Sequence, residues 1–275
     1  MRSLGADAAQ VTSWGKGAVV VLALSACGRF EQAAPSASAT AVAAPDPPPK
    51  TRPPADPVRI WVKIGKEDIT TESGVLVPLP PPDKRSEGVE AKHKRSGAVA
   101  DMHIVALAKA IPSCHDKPVV IEVEPETTFR LLEEVAFTLA EQGCKSFEAR
   151  VIGDAPREFK FTTPVHADIE APKILAELQD GGIALTTPVG SVGPNCEGSA
   201  KGVTIARQEG RLPSGALTLC AAKLKAGTKE LTTARMVLLA AAPATSCADV
   251  VDAARALERH GNEALFPEVV IGAAD

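Results

Sequence analysis

Lys117-Pro118-Val119-Val120-Ile121-Glu122-Val123 anchors the reading of this chain. Its apolar, β-branched run reads as a buried strand. Glu124-Pro125 then turns the chain. Thr128 is the expected N-cap of a helix from about Phe129 to Gln142, and Gly143 stands at its C′ position. Phe129, Leu132, Ala136 and Leu139 recur at helical spacing and mark the buried stripe. Phe147-Glu148-Ala149-Arg150-Val151-Ile152 follows as the next strand. Strand, helix and strand form a βαβ unit.

Working outward, Val58-Arg59-Ile60-Trp61-Val62-Lys63-Ile64 alternates and reads as a strand. Gly74-Val75-Leu76-Val77-Pro78-Leu79 is a second one, stopped by three prolines. Lys84–Ser96 is charged and is expected to be a mobile loop. Ile104, Leu107, Ala108 and Ile111 mark a helix that ends before Pro112. Gly153-Asp154-Ala155-Pro156 turns the closing strand into Glu158-Phe159-Lys160-Phe161.

The order recurs further along. Strands are expected at Gly182–Thr186 and Val203–Ala206. Leu217, Ala221 and Leu224 mark a helix, and Arg235–Leu239 a strand. A helix runs from a Ser246 cap, with Asp249 as capping-box partner, to His260. Gly261 ends it, and Glu268–Gly272 closes the unit. The offset is nearly constant: Pro125 to Pro243, Thr128 to Ser246 and Gly143 to Gly261 are each 118 residues. The stripe Phe129, Leu132, Ala136, Leu139 falls on Cys247, Val250, Ala254, Leu257 at the same shift. Ile152-Gly153 falls on Ile271-Gly272 at 119. These coincidences point to a tandem duplication.

The 116–152 stretch resembles the periplasmic domain of the ExbD/TolR biopolymer-transport family. That family reads as D-x-P-V-V-I, an acidic turn, Y-G, a helix, A-G and a final strand. The matching residues are Asp116-Lys117-Pro118-Val119-Val120-Ile121, Glu124-Pro125, Phe129 and Gly143. The resemblance covers 58–154 well and 182–275 more weakly. It implies an α+β fold of two tandem βαβαβ modules, each a small mixed sheet with two helices on one face. It also implies envelope or transport-complex proteins as partners, and a homodimer as one arrangement. The departures are informative. Family members carry a membrane helix with an Asp that serves proton conduction, and the apolar run here holds none. The family's Tyr-Gly is Phe129-Arg130 in the first copy and Cys247-Ala248 in the second. What carries over is an interaction role, not a motor.

The N-terminal segment supplies an address. Arg2 and Lys16 precede the apolar run Gly17–Leu24, which is too short for the ~20 residues a membrane span needs. It fits a signal-peptide core, and Leu24-Ser25-Ala26-Cys27 resembles the lipobox of bacterial lipoproteins. Cys27 is therefore the expected lipidation site, which makes the lipid the anchor in the membrane and places the chain in the cell envelope facing the periplasm. An Ala/Pro/Ser-rich tether follows. The expected organisation is a signal peptide over 1–26, a tether over 27–57, a first module over 58–163, a linker over 164–181 and a second module over 182–275.

Composition narrows the function. The 275 residues carry 30 Lys+Arg against 34 Asp+Glu and 3% aromatics, which argues against a nucleic-acid partner and against base- or sugar-stacking platforms. In an exported protein the cysteines can pair. Both helices of a split βαβ unit end at one edge, so Cys114 and Cys144 are expected to bridge. Cys220 and Cys247 are a second candidate pair, with Cys196 competing for either partner. A reactive thiolate at Cys247, on a helix N-terminus, is the functional alternative. His93, His103, His115, His166 and His260 lack metal-ligand spacing, and Glu122, Glu124 and Glu126 read as a solvated face. No catalytic residues, metal or cofactor are expected. The preferred reading is a non-catalytic envelope lipoprotein, an accessory of an ExbD/TolR-like system. The alternative is a periplasmic solute- or cell-wall-binding lipoprotein, and an envelope hydrolase ranks last because no nucleophile–base set can be named.

Overall fold

The computed structural model describes residues 59–153, 157–170 and 173–273. The expected signal peptide, Cys27 and the tether lie outside the described residues. Among the described residues no helix is long and apolar enough to cross a membrane.

The first sheet is built from β1 (Ile60–Ile64), β2 (Asp68–Thr71), β3 (Gly74–Pro78), β4 (Val119–Val123), β5 (Phe147–Val151) and β6 (Arg157–Phe161), with α1 (Val105–Ala110) and α2 (Phe129–Glu141) between them. Its order is β3-β2-β1-β4-β5-β6. Strands β1, β4 and β5 are parallel, while β2, β3 and β6 run antiparallel to their neighbours. The second sheet uses β7 (Lys173–Gln179), β8 (Gly182–Thr187), β9 (Gly190–Ser191), β10 (Ile205–Ala206), β11 (Met236–Ala241) and β14 (Glu268–Ala273). Helix α3 (Ser214–Gly227) precedes β11, and α4 (Cys247–Glu258) follows it. The small hairpin of β12 (Arg259–His260) and β13 (Glu263–Ala264) comes after α4. The order is β10-β8-β7-β11-β14, with β9 beside β8. Strands β7, β11 and β14 are parallel and β8 and β10 antiparallel, so the five-strand order and directions match those of β3-β2-β1-β4-β5.

The helical stripes lie where their periodicity directs them. Phe129, Leu132, Ala136 and Leu139 of α2, and Cys247, Val250, Ala254 and Leu257 of α4, are all buried. One continuous apolar core includes residues of both sheets. Helix α2 closes as a Schellman motif: Gly143 sits at φ 83°, Gly143 N–H donates to Ala140 O and Cys144 N–H to Leu139 O.

The structure corrects several expectations. Residues 173–179 are not linker: they form β7, the central strand of the second sheet, so the second unit begins before Gly182. Strand β2 lies between the two strands expected at 58–64 and 74–79. The strand expected over 203–206 shrinks to Ile205–Ala206. Helix α4 stops at Glu258, and Gly261 serves the β12–β13 hairpin rather than a helix end.

Candidate functional site at the junction of the two sheets

The loops that lead from β4 into α2 and from β11 into α4 meet each other. A helix start leaves its first N–H groups without intrahelical partners. Here the first two of these groups on each helix are satisfied across the junction. Phe129 N–H donates to Thr245 O at 2.7 Å, and Cys247 N–H donates to Thr127 O at 2.7 Å. Arg130 N–H reaches Pro243 O at 3.2 Å, and Ala248 N–H reaches Pro125 O at 3.4 Å. Between these bonds Thr128 and Ser246 form an isolated antiparallel bridge. The two caps differ in their side chains. Ser246 Oγ accepts Asp249 N–H at 3.2 Å, whereas Thr128 Oγ1 turns outward and donates to Arg85 O at 2.9 Å.

A second, one-sided seam runs beside it. Directly after β6, Thr162 N–H donates to Val269 O at 2.9 Å and Ile271 N–H donates to Thr162 O at 3.1 Å, joining the first half to the edge of β14. Arg157 of β6 pairs with Asp252 of α4 at 2.6 Å. Below this seam, at the entry ends of β5, β11 and β14, lies an open cleft of about 470 Å³. Lys145, Lys160 and Arg235 give it a cationic rim, with Asp168 and Glu268 as counter-charges and His166 beside them.

The charged segment expected to be mobile is folded. It makes two 3-10 turns, Pro82–Glu87 and Ala91–His93, and is clasped to α2 by a buried carboxylate. Glu134 Oε1 accepts from Lys94 Nζ at 2.6 Å and from Arg130 Nε at 2.9 Å, and Glu134 Oε2 accepts Val89 N–H at 2.7 Å. Both the Lys94 and Glu134 side chains are 0% exposed. Burial pushes the Glu134 carboxyl up, while the Lys94 ammonium and the Val89 N–H pull it back down. Gly88, at φ 82°, presses against this carboxylate, and a Cβ there would collide with it. Further along, the amides of His103 and Ser96 hold the Asp101 carboxyl well below its usual range.

Cys114 is bonded to Cys144, with Cα atoms 5.2 Å apart. The second bridge is not Cys220–Cys247. Cys220 is bonded to Cys196, Cα to Cα 5.5 Å, and Cys247 is a free, fully buried thiol. The Gly193-Pro194-Asn195-Cys196 turn packs against both β10 and α3. Cys247, by contrast, faces its own junction, where its Sγ lies 3.7 Å from Thr128 O. Burial pushes the Cys247 thiol up, the opposite of a reactive thiolate. Two disulfides fit an extracytoplasmic protein.

The other candidates are scattered. His103 bonds Glu141, His166 Nε2 lies 3.2 Å from Ala140 O, and His260 sits on β12. Among the described residues no three His, Cys, Asp or Glu stand close enough to hold a metal ion. Glu122 lies on β4, with Glu124 and Glu126 in the turn beyond it. The open face of the first sheet is instead knitted by Glu148, which accepts from Arg59 at 3.3 Å and Arg150 at 2.8 Å, with Arg150 5.3 Å above the Trp61 ring. Lys94 and Glu134 were missed by sequence reasoning. The signal available was a Glu on the helical face one turn beyond Arg130, next to a lysine-rich loop.

Compared with known protein families, with curated proteins and with solved structures, this chain finds no match.

Proposed function

We propose that this chain is a lipid-anchored envelope protein that works by binding and assembly rather than by catalysis. In this reading two tandem βαβαβ modules of the ExbD/TolR periplasmic type are held at the membrane through Cys27, and they serve as an accessory of a biopolymer-transport complex. One observation carries it. Open α/β sheets receive small ligands outside the carboxyl ends of their parallel strands, where helix N-termini offer free N–H groups. Here the ends of β4 and β11, and the starts of α2 and α4, are committed to one another through four main-chain hydrogen bonds. The positions best suited to chemistry are used for architecture. The matching strand order of the two sheets, the 118-residue offset and the lipobox-like Leu24-Ser25-Ala26-Cys27 support the same reading.

The cationic cleft favours a second reading, in which the chain binds an anionic solute or cell-wall polymer between its two units. One experiment tests the first. Membranes carrying the full chain are cross-linked and the chain is recovered. The assembly role predicts co-purifying envelope proteins, and recovery of the chain alone at its own mass contradicts it. Cys27→Ser is expected to release the chain in soluble form, and firm membrane attachment of that variant contradicts the anchor.

A further inference from the structure

The main-chain bonds at the junction form a closed set under one operation. Phe129 and Cys247 are 118 residues apart, as are Thr127 and Thr245, Arg130 and Ala248, and Pro125 and Pro243. Adding 118 to the donor and subtracting it from the acceptor turns Phe129→Thr245 into Cys247→Thr127, and both are 2.7 Å long. The same operation turns Arg130→Pro243 into Ala248→Pro125, at 3.2 and 3.4 Å. Thr128 and Ser246, the pair that bridges between them, are also 118 apart. A patch whose main-chain bonds are unchanged when its two sides are exchanged has the pattern of an isologous interface, the kind that closes two-fold dimers. Two unrelated βαβ units have no physical reason to meet through equivalent atoms.

We infer that residues 125–130 form a surface whose fitting partner is a second copy of the same βαβαβ unit, and that in this chain the second half occupies it. The junction is a homodimer interface captured inside one polypeptide. The inference rests on reading the halves as copies. Strand β6 sets the asymmetry: it has no counterpart on the path of the second sheet, and through Thr162 it fastens the first half to β14 on one side only. Because each half fills the other's surface, two whole chains have no free copy of it with which to pair.

The pattern around Thr128 and Ser246 makes them a non-hydrogen-bonded antiparallel pair, whose Cα atoms lie about 4.5 Å apart in general, within disulfide reach. The test uses the full chain carrying Cys27→Ser and Cys247→Ala, with Thr128→Cys and Ser246→Cys singly and together. Under mild oxidation the double variant is expected to form a 128–246 link within one chain, and neither single variant is expected to link two chains. Failure of the link in a folded double variant overturns the facing geometry, and interchain links overturn the capture. Should the variants not fold, sedimentation of the Cys27→Ser chain decides. A single-chain mass across a hundredfold range of concentration is expected, and a concentration-dependent dimer contradicts the inference. Neither measurement needs an envelope partner, so loss of the assembly reading leaves this result standing.

Discussion

Glu134 shows how one side chain converts a charged loop into structure. Its carboxylate takes the Lys94 ammonium, the Arg130 guanidinium and the Val89 N–H, and no part of the Lys94 or Glu134 side chain reaches solvent. Removing one partner of such a pair strands the other charge. Glu134→Gln should therefore lower stability by about 3–5 kcal/mol, read as a shift of the urea midpoint with unchanged slope. A loss below about 1 kcal/mol would mean that the clasp is relaxed in solution. The segment looked mobile because Lys, Arg and Glu are normally solvated, and composition says nothing about a buried acceptor forty residues away. Cys247 illustrates the opposite error. A helix N-terminus favours a thiolate, but complete burial outweighs it and the proton stays on.

Among the elements, one disulfide closes a loop that holds β4 and α2, and the other ties the turn at Cys196 to the middle of α3. Cys114–Cys144 spans 30 residues and Cys196–Cys220 spans 24. Loop closure of that length is worth about 3.5 kcal/mol through the unfolded chain. Replacing Cys114 and Cys144 together by Ser should cost roughly that amount in denaturant unfolding without reductant, and wild type with reductant should lose more, since both bridges then open. Equal stability with and without reductant would contradict the role of the bridges. Much of this layer was legible in the sequence. The strand at 119–123, the α2 stripe, its Gly143 terminus and the Ser246 cap all follow from local chemistry. Strand β7 did not, because Lys-Ile-Leu-Ala-Glu-Leu-Gln is made of good helix formers. Its period-two burial at Ile174, Ala176 and Leu178 is imposed by the strands on either side. The Cys196–Cys220 pairing was one of the alternatives the sequence left open, and the choice depends on how the turn after β9 lies against α3.

At the scale of the molecule, two sheets of matching order are joined by a self-complementary seam and a one-sided one. The sequence carried the offset of 118 residues. It could not say that equivalent residues at that offset would touch, because repetition along a chain does not dictate how the repeats pack. Hydrogen exchange at the first amides of α2 and α4 tests the reciprocal seam. Amides at a helix start normally exchange quickly, having no intrahelical partner. The amides of Phe129 and Cys247 are predicted to be protected about 100-fold or more over such groups, and to a similar degree as each other. Rapid exchange at either one, in the folded chain, would contradict the reciprocal junction.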